Sequence, residues 1–222
     1  MNILIEPLYI GLIQTFISIV LVSGMLFFGR LINGKFFPDY NNTLCNLLLS
    51  VIFFSQLLKI LSYIDYFKEA NFLFVIIIFI FGIYNLQFYF NFLKRLKFNF
   101  TISYFEILIL LLIFCFFLIS ISPPSMADAL DYHYGIPLYL LNLNEIPNPY
   151  LWIHGALSNN GEFINSLAIY VGTDNFGSFL QFLIFINFII YLKNKIKNKK
   201  KFIFIAIFIL CSPTLLQLIS GP

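Results

Sequence analysis

Long uncharged apolar runs constrain the fold of this chain more than any other feature of its sequence. The run from Phe72 to Tyr84 (FLFVIIIFIFGIY) contains no Asp, Glu, Lys or Arg. A helix needs about 20 such residues to cross the hydrocarbon core of a bilayer. Charged residues make up only 10% of the chain, whereas soluble proteins are about a quarter charged. The sequence therefore predicts an all-α polytopic membrane protein, and no nucleic-acid partner is expected.

Six transmembrane helices are predicted from the hydrophobic stretches. They run from about Leu8 to Phe28, Leu44 to Tyr63, Asn71 to Leu93, Ile102 to Ser120, Phe176 to Leu192 and Phe202 to Ser220. Polar residues inside these spans, among them Gln14 and Asn85, need partners that hydrocarbon cannot supply. We expect such amides to hydrogen-bond between helices.

Basic residues predict the orientation of these spans. Eleven of the thirteen Lys and Arg residues follow the first, third and fifth spans. By the positive-inside rule, those loops are cytoplasmic, and the segment from Pro123 to Asp174 is on the other side. Abundant Lys, Ile, Phe and Asn indicate an AT-rich genome, so the expected location is a bacterial inner membrane with a periplasmic 123–174 loop. The run from Lys193 to Lys201 is interpreted as a topology determinant, with binding to anionic membrane lipids as the alternative.

The external segment from Pro123 to Asp174 is the only long polar interruption of the sequence. It holds five of the ten acidic residues, the only tryptophan (Trp152) and both histidines, His133 and His154. This concentration of ionisable side chains makes the segment the candidate site. The predicted fold is thus a bundle of about six helices with one long external loop that contains short interfacial helices.

A helix N-terminus is predicted at Ser125, because Ser followed three residues later by an acid, here Asp128, is typical of a helix cap. Such a helix places Asp128, Asp131 and Tyr132 on one face, since residues three and four apart are neighbours. Asp128 can also be explained as a capping acid that the helix dipole favours. Asp131 lies beyond the first turn, so capping explains it less well.

Gly135 and Pro137 are expected to break or kink this first helix. A second helix is predicted from about Gly161 to Val171, where apolar residues recur at helical spacing, and it is expected to lie in the membrane interface. Glu162 opens that helix, where an acid also fits the dipole. His133 fits a base, a ligand or an interfacial hydrogen-bonding group. Two histidines and scattered acids do not make a metal site, so none is predicted.

The segment resembles the GT-C superfamily of membrane glycosyltransferases, which includes protein mannosyltransferases and aminoarabinose transferases. In that family the first long external loop begins with an Asp, often Asp-Glu, four residues before a Tyr. Asp128 and Tyr132 have this spacing, although Ala129 stands in place of the family Glu. Asp131 is the acid that would stand in for it. Glu162 is similar to the acid that opens the family's interfacial helix.

The resemblance covers about residues 113 to 190 and implies sugar transfer from a polyprenyl-phosphate donor to an acceptor on the external face. Asp128, Asp131 and Glu162 are the implied catalytic residues, and Tyr132, His133 and His154 the implied substrate-binding residues. A divalent metal is an open possibility, since the leaving phosphate needs a cation. The acceptor is not identified.

The resemblance also predicts how the chain is divided. Residues 1–101 are expected to form an N-terminal three-span region, and residues 102–222 the start of a GT-C-like module. We expect the chain to be a fragment of a longer enzyme that is active only at full length. The alternative is a non-catalytic polytopic membrane protein, such as a transporter part or an assembly subunit, in which the loop is structural.

Overall fold

The computed structural model describes residues 5–37, 42–93, 104–122, 133–148, 150 and 160–212. Within these residues the regular elements are eight α-helices, and no strand occurs. They are α1 (Ile5–Phe36), α2 (Thr43–Ser62), α3 (Phe67–Leu93), α4 (Tyr104–Ser120), α5 (Gly135–Leu143), α6 (Asn160–Ile169), α7 (Phe176–Lys195) and α8 (Lys199–Leu210). The predicted all-α class is confirmed for this part of the chain.

Among the described residues, four helices are long and apolar enough to cross a membrane: α1, α2, α3 and α7. The fourth predicted span is the 17-residue α4, which is about 25 Å long at 1.5 Å per residue. Of the sixth predicted span, the structure describes α8 up to Leu210 and the chain up to Ser212. The residues beyond Ser212 lie outside the described part.

Three glycines bring α1 into close contact with α2 and α3. A Cβ atom on Gly24 would lie 2.0 Å from the Ile78 carbonyl oxygen of α3. Reciprocally, a Cβ on Gly82 of α3 would lie 2.2 Å from the Val20 carbonyl oxygen of α1. Small residues allow membrane helices to approach in this way, because backbone contacts replace side-chain packing. The same occurs between α1 and α2, where Gly29 contacts the Asn46 backbone.

Buried amides link α1, α2 and α3 near one end of the bundle. The side chain of Asn85 donates to the Ser23 carbonyl oxygen at 2.7 Å and accepts from Arg30 at 3.2 Å. One turn further along α1, Asn33 donates to the Asn46 side chain at 2.6 Å. The predicted interhelical role of Asn85 is confirmed. These bonds also explain why α1 continues to Phe36, eight residues past its predicted end at Phe28.

The basic residues lie together at this end, which we call the basic end. It contains Arg30 of α1 and the last turn of α7, and a 2.9 Å ion pair joins Lys199 of α8 to Glu106 of α4. The opposite end contains the α2–α3 turn and α5. There Asn144, at the end of α5, donates to the Asp65 carbonyl oxygen and accepts from the Lys68 backbone N–H.

α6 lies inside the bundle rather than on its surface. It packs against α2, α3, α5 and α7, and the seven residues from Glu162 to Ala168 are all buried. The prediction of a helix here is confirmed, and the prediction that it lies in the membrane interface stays a prediction. Its polar residues are satisfied by neighbouring helices; for example, the Ser166 hydroxyl donates to the Asn71 side chain of α3 at 2.9 Å.

The hydrophobic core draws residues from both sides of the predicted boundary between residues 101 and 102. Leu58 of α2 and Phe67 of α3 belong to the same buried cluster as Phe163 of α6 and Phe176 of α7. The division of the chain into two parts stays a prediction.

Candidate functional site

The candidate site centres on His133 and Glu162, two predicted site residues that the fold brings together across 29 positions of sequence. The Nδ1 atom of His133 lies 2.8 Å from the Oε1 atom of Glu162. The Glu162 side chain is 4% exposed and the His133 side chain 25% exposed. A buried carboxylate therefore holds one edge of an imidazole that still reaches the surface.

The start of α5 positions His133. The backbone enters α5 through a π-helical turn at His133 and Tyr134, and the helix then runs from Gly135. Gly135 and Pro137 lie in the first turn of α5. The prediction that they break or kink a helix beginning at Ser125 stays a prediction, because residues 123–132 lie outside the described part of the chain. Pro137 is tolerated in α5 because the N–H groups of a first helical turn have no intrahelical acceptor. His133 thus lies in the turn that leads into α5.

The first turn of α6 positions Glu162. The next residue, Phe163, is buried and packs edge-on against Phe67 of α3 with ring centroids 5.9 Å apart. One turn later, the Ser166 hydroxyl also bonds the Phe163 carbonyl oxygen and the Asn71 side chain. These contacts fix the rotation of α6 about its axis, so the Glu162 carboxylate is held in place by packing.

Tyr134 and Asp174 add a second ionisable pair beside the first. Tyr134 is buried, and this burial together with the negative charge of Asp174 raises the pKa of its phenol well above the ordinary value. The Oδ1 atom of Asp174 is buried and has no hydrogen-bond partner in the described part of the chain. A buried polar atom without a partner carries a desolvation cost of about 1–3 kcal/mol, so the Asp174 carboxylate favours a position beside a hydrogen-bond donor.

Asn175 fastens the loop that carries Asp174 to the rest of the bundle. Its side-chain amide donates to the Ile121 carbonyl oxygen, at the end of α4, at 3.3 Å and lies 3.4 Å from the Thr15 hydroxyl. The Ser18 hydroxyl of α1 donates to its oxygen at 3.3 Å. The end of α4 and the start of α7 therefore meet at the end of the bundle that holds the candidate site.

The His133–Glu162 arrangement is suited to proton transfer. A carboxylate bonded to one imidazole nitrogen fixes the orientation and tautomer of the ring and stabilises the imidazolium form. The other nitrogen can then take a proton from a hydroxyl group as a general base. Burial of Glu162 strengthens this interaction, because charge–charge attraction grows as water is excluded.

Only two of the six predicted site residues belong to the described part of the chain. Glu162 and His133 are in contact, whereas Asp128, Asp131, Tyr132 and His154 lie outside the described residues. Sequence reasoning missed Tyr134 and Asp174. Tyr134 follows a candidate histidine directly, and Asp174 stands in a polar turn before α7, but neither has a spacing that indicates a site.

Among the described residues, no group of three or more His, Cys, Asp or Glu side chains lies close enough to hold a metal ion. His133 and Glu162 supply two such groups, which alone do not make a metal centre.

The sequence from residue 14 to residue 222 matches the family model of the DUF1420 N-terminal domain, and the chain belongs to this family. The matched region runs across both halves of the predicted division and includes His133 and Glu162. No curated protein and no solved structure matches the chain.

Proposed function

We propose that this member of the DUF1420 N-terminal domain family forms part of a glycosyltransferase that uses a polyprenyl-phosphate-linked sugar. Its site is at the end of the bundle where His133 and Glu162 meet, and this end faces the periplasm. The observation that carries the proposal is the buried carboxylate of Glu162 bonded to the partly exposed imidazole of His133. A bacterial inner membrane is the proposed location.

The proposed reaction is one displacement at the anomeric carbon of the donor sugar. His133 takes the proton of the acceptor hydroxyl, and the acceptor oxygen forms a bond to the anomeric carbon. The bond between that carbon and the phosphate oxygen breaks, and its electron pair leaves with the polyprenyl phosphate. Glu162 stabilises the imidazolium that forms, so it is a positioning residue in this scheme.

Asp128 and Asp131 are the proposed acceptor-binding residues. They stand in the segment that joins the end of α4 to His133, only a few residues before it. In the family that the segment resembles, the acid in the position of Asp128 binds or deprotonates the acceptor. Tyr132 and His154 are proposed to contact the sugar.

The distribution of charge supports the proposed sidedness. Eleven of the thirteen basic residues follow the first, third and fifth predicted spans. The described ones lie at the basic end of the bundle, away from His133 and Glu162. Since positively charged loops stay in the cytoplasm, the candidate site faces outward. Lipid-linked sugars are the activated sugars available on that face, and their chains can lie along the apolar surface of the helices.

One observation favours the alternative, a non-catalytic membrane protein. The His133–Glu162 bond also joins the start of α5 to α6, so the same contact can serve to fasten the external segment to the bundle. The two functions differ in what happens when the pair is broken without unfolding the protein.

The deciding experiment compares Glu162→Gln and His133→Gln with the control Glu145→Gln in the full-length gene product. Glu145 is an exposed acid at the end of α5 and lies outside the proposed site. Membranes that contain each variant are supplied with radiolabelled polyprenyl-phosphate sugar, and label transfer is measured together with the thermal midpoint of the purified protein. Asp128→Asn is measured in the same way.

The proposal predicts that Glu162→Gln, His133→Gln and Asp128→Asn each lose transfer by about 10²-fold or more while Glu145→Gln keeps it. Lipid-linked sugar accumulates in cells from which the gene is deleted. Unchanged transfer by folded Glu162→Gln and His133→Gln proteins would exclude the pair from catalysis. A lowered thermal midpoint with normal transfer would assign the pair to fastening and favour the non-catalytic alternative.

A further inference from the structure

The strongest charged patch of the described structure is formed by six lysines at the basic end. We call it the lysine surface; it consists of Lys193, Lys195, Lys197, Lys199, Lys200 and Lys201. Two of these residues lie in the last turn of α7, one in the connection and three in the first turn of α8. All six side chains are exposed.

Few groups in the described part of the chain balance the charges of the lysine surface. Lys199 forms a 2.9 Å ion pair with Glu106 of α4, and the Lys195 ammonium lies 5.7 Å from the centre of the Tyr191 ring. Within the described residues, the lysine surface forms no other ion pair. The lysine surface therefore keeps a large excess of positive charge that the described residues do not neutralise.

The start of α8 makes this excess more costly. Lys199, Lys200 and Lys201 occupy its first turn, and the positive end of a helix dipole disfavours cations there. Asn198 caps the helix by accepting from the Lys201 backbone N–H at 3.1 Å, so the helix begins at this point despite the three charges. An external anion would relieve the repulsion.

The lysine surface lies where the apolar surface of the helices ends. α7 is apolar and long enough to cross a membrane, and its last turn carries Lys193 and Lys195. On α8, the side chains of Phe204 and Phe208 are 73% and 74% exposed, so an apolar face begins within a few residues of Lys201. Exposed apolar residues are thus followed by exposed lysines. In a lipid leaflet, apolar acyl chains are followed by polar headgroups in the same order.

We propose that the lysine surface binds the phosphate groups of anionic phospholipids in the cytoplasmic leaflet. Lysine suits this partner because its ammonium acts as a mobile point charge that can follow fluid headgroups. Near an anionic leaflet each lysine adds to the attraction, and the contributions sum. The interaction is independent of the proposed glycosyltransferase activity, which is at the other end of the bundle.

The test uses the whole chain in neutral detergent and measures equilibrium binding of a fluorescent phosphatidylglycerol. Phosphatidylcholine with the same acyl chains controls for the headgroup charge. The triple variant Lys197→Gln, Lys200→Gln, Lys201→Gln removes half of the surface without disturbing a buried contact. Lys68→Gln, an exposed lysine at the opposite end, is the matched control.

We expect the wild type and Lys68→Gln to bind phosphatidylglycerol more tightly than phosphatidylcholine, and the triple variant to lose about tenfold or more of that affinity. Added salt weakens the wild-type binding. Glu106→Gln releases Lys199 and is expected to raise the affinity. Equal binding of the two lipids by the wild type, or unchanged phosphatidylglycerol binding by the triple variant, would overturn the proposal and leave the lysines as topology determinants.

Discussion

Gly24 of α1 lies directly on the Ile78 backbone of α3, so close that a Cβ atom would be 2.0 Å from the carbonyl oxygen. Reciprocal contact between Gly82 and Val20 shows that the two helices touch through their backbones. Neither helix can accept a larger residue at these positions without moving apart. The contact therefore fixes the distance between α1 and α3, and α3 in turn packs against the α5 and α6 helices of the candidate site.

Gly24→Ala should destabilise the protein by about 1–3 kcal/mol, because overpacking forces α1 and α3 apart. The matched control is Gly34→Ala in the same helix, where a Cβ meets nothing within 4 Å. That control should be neutral or more stable by about 0.5–1 kcal/mol, since alanine is the better helix former. Thermal unfolding in detergent measures both. Equal midpoints for the two variants would contradict the close approach.

Asn144 should hold the external segment to the α2–α3 turn. Its φ is 61°, a left-handed conformation that glycine also adopts, and its side chain contacts Asp65 and Lys68. Asn144→Gly keeps the backbone and removes the contacts, at a cost of about 0.5–1.5 kcal/mol. Asn144→Ala should cost about 1–2 kcal/mol more because of its Cβ. Hydrogen exchange in α5 should be faster in both variants, and unchanged exchange in the glycine variant would refute the tether.

Tyr134 should make stability fall at alkaline pH. Burial and the charge of Asp174 raise the pKa of its phenol. Above about pH 10 the unfolded chain releases a proton that folded Tyr134 still holds. Ionisation of the phenol then stabilises the unfolded state but not the folded state. The free energy of unfolding therefore decreases as pH rises.

Thermal midpoints of the wild type, Tyr134→Phe and Asp174→Asn at neutral and alkaline pH measure this effect. The decline should be steepest for the wild type, smaller for Asp174→Asn and smallest for Tyr134→Phe, which has no phenol to titrate. The other tyrosines contribute equally to all three proteins. The same decline in Tyr134→Phe as in the wild type would show that the phenol titrates normally.

The orientation of the bundle can be checked by labelling single cysteines in intact cells after removal of Cys45, Cys115 and Cys211. Tyr150 is 96% exposed and belongs to the external segment, so Tyr150→Cys should react with a membrane-impermeant maleimide. Lys200→Cys, at the basic end, should react only after the cells are permeabilised. The reverse pattern would place the candidate site in the cytoplasm.

Hydrophobicity was enough to predict most helix boundaries, because the cost of an exposed backbone in hydrocarbon forces apolar stretches into helices. α2, predicted from Leu44 to Tyr63, runs from Thr43 to Ser62. Where polar residues intervene, the prediction was wrong. The first span is predicted to end at Phe28, yet α1 continues to Phe36. Arg30 and Asn33 lie inside it because Asn85 and Asn46 satisfy their polar side chains.

The candidate site was only partly predictable, because its contacts also join residues from different helices. His133 and Glu162 could each be chosen by residue type, but their contact depends on how α5 and α6 pack, which no local pattern encodes. The burial of α6 was also missed, since Asn165 and Ser166 resemble a solvent-facing stripe in the sequence. Both are buried, and the hydroxyl of Ser166 is bonded to Asn71.

The inserted position of α6 has a consequence for how the chain is made. Asn71 is synthesised with α3, whereas Ser166, which bonds its side chain, emerges from the ribosome 95 residues later. Until then the α2–α3 hairpin lacks the contacts that Phe67 and Asn71 make with α6. The first three helices can be synthesised and enter a membrane early, but their packing is complete only after α6 has been made.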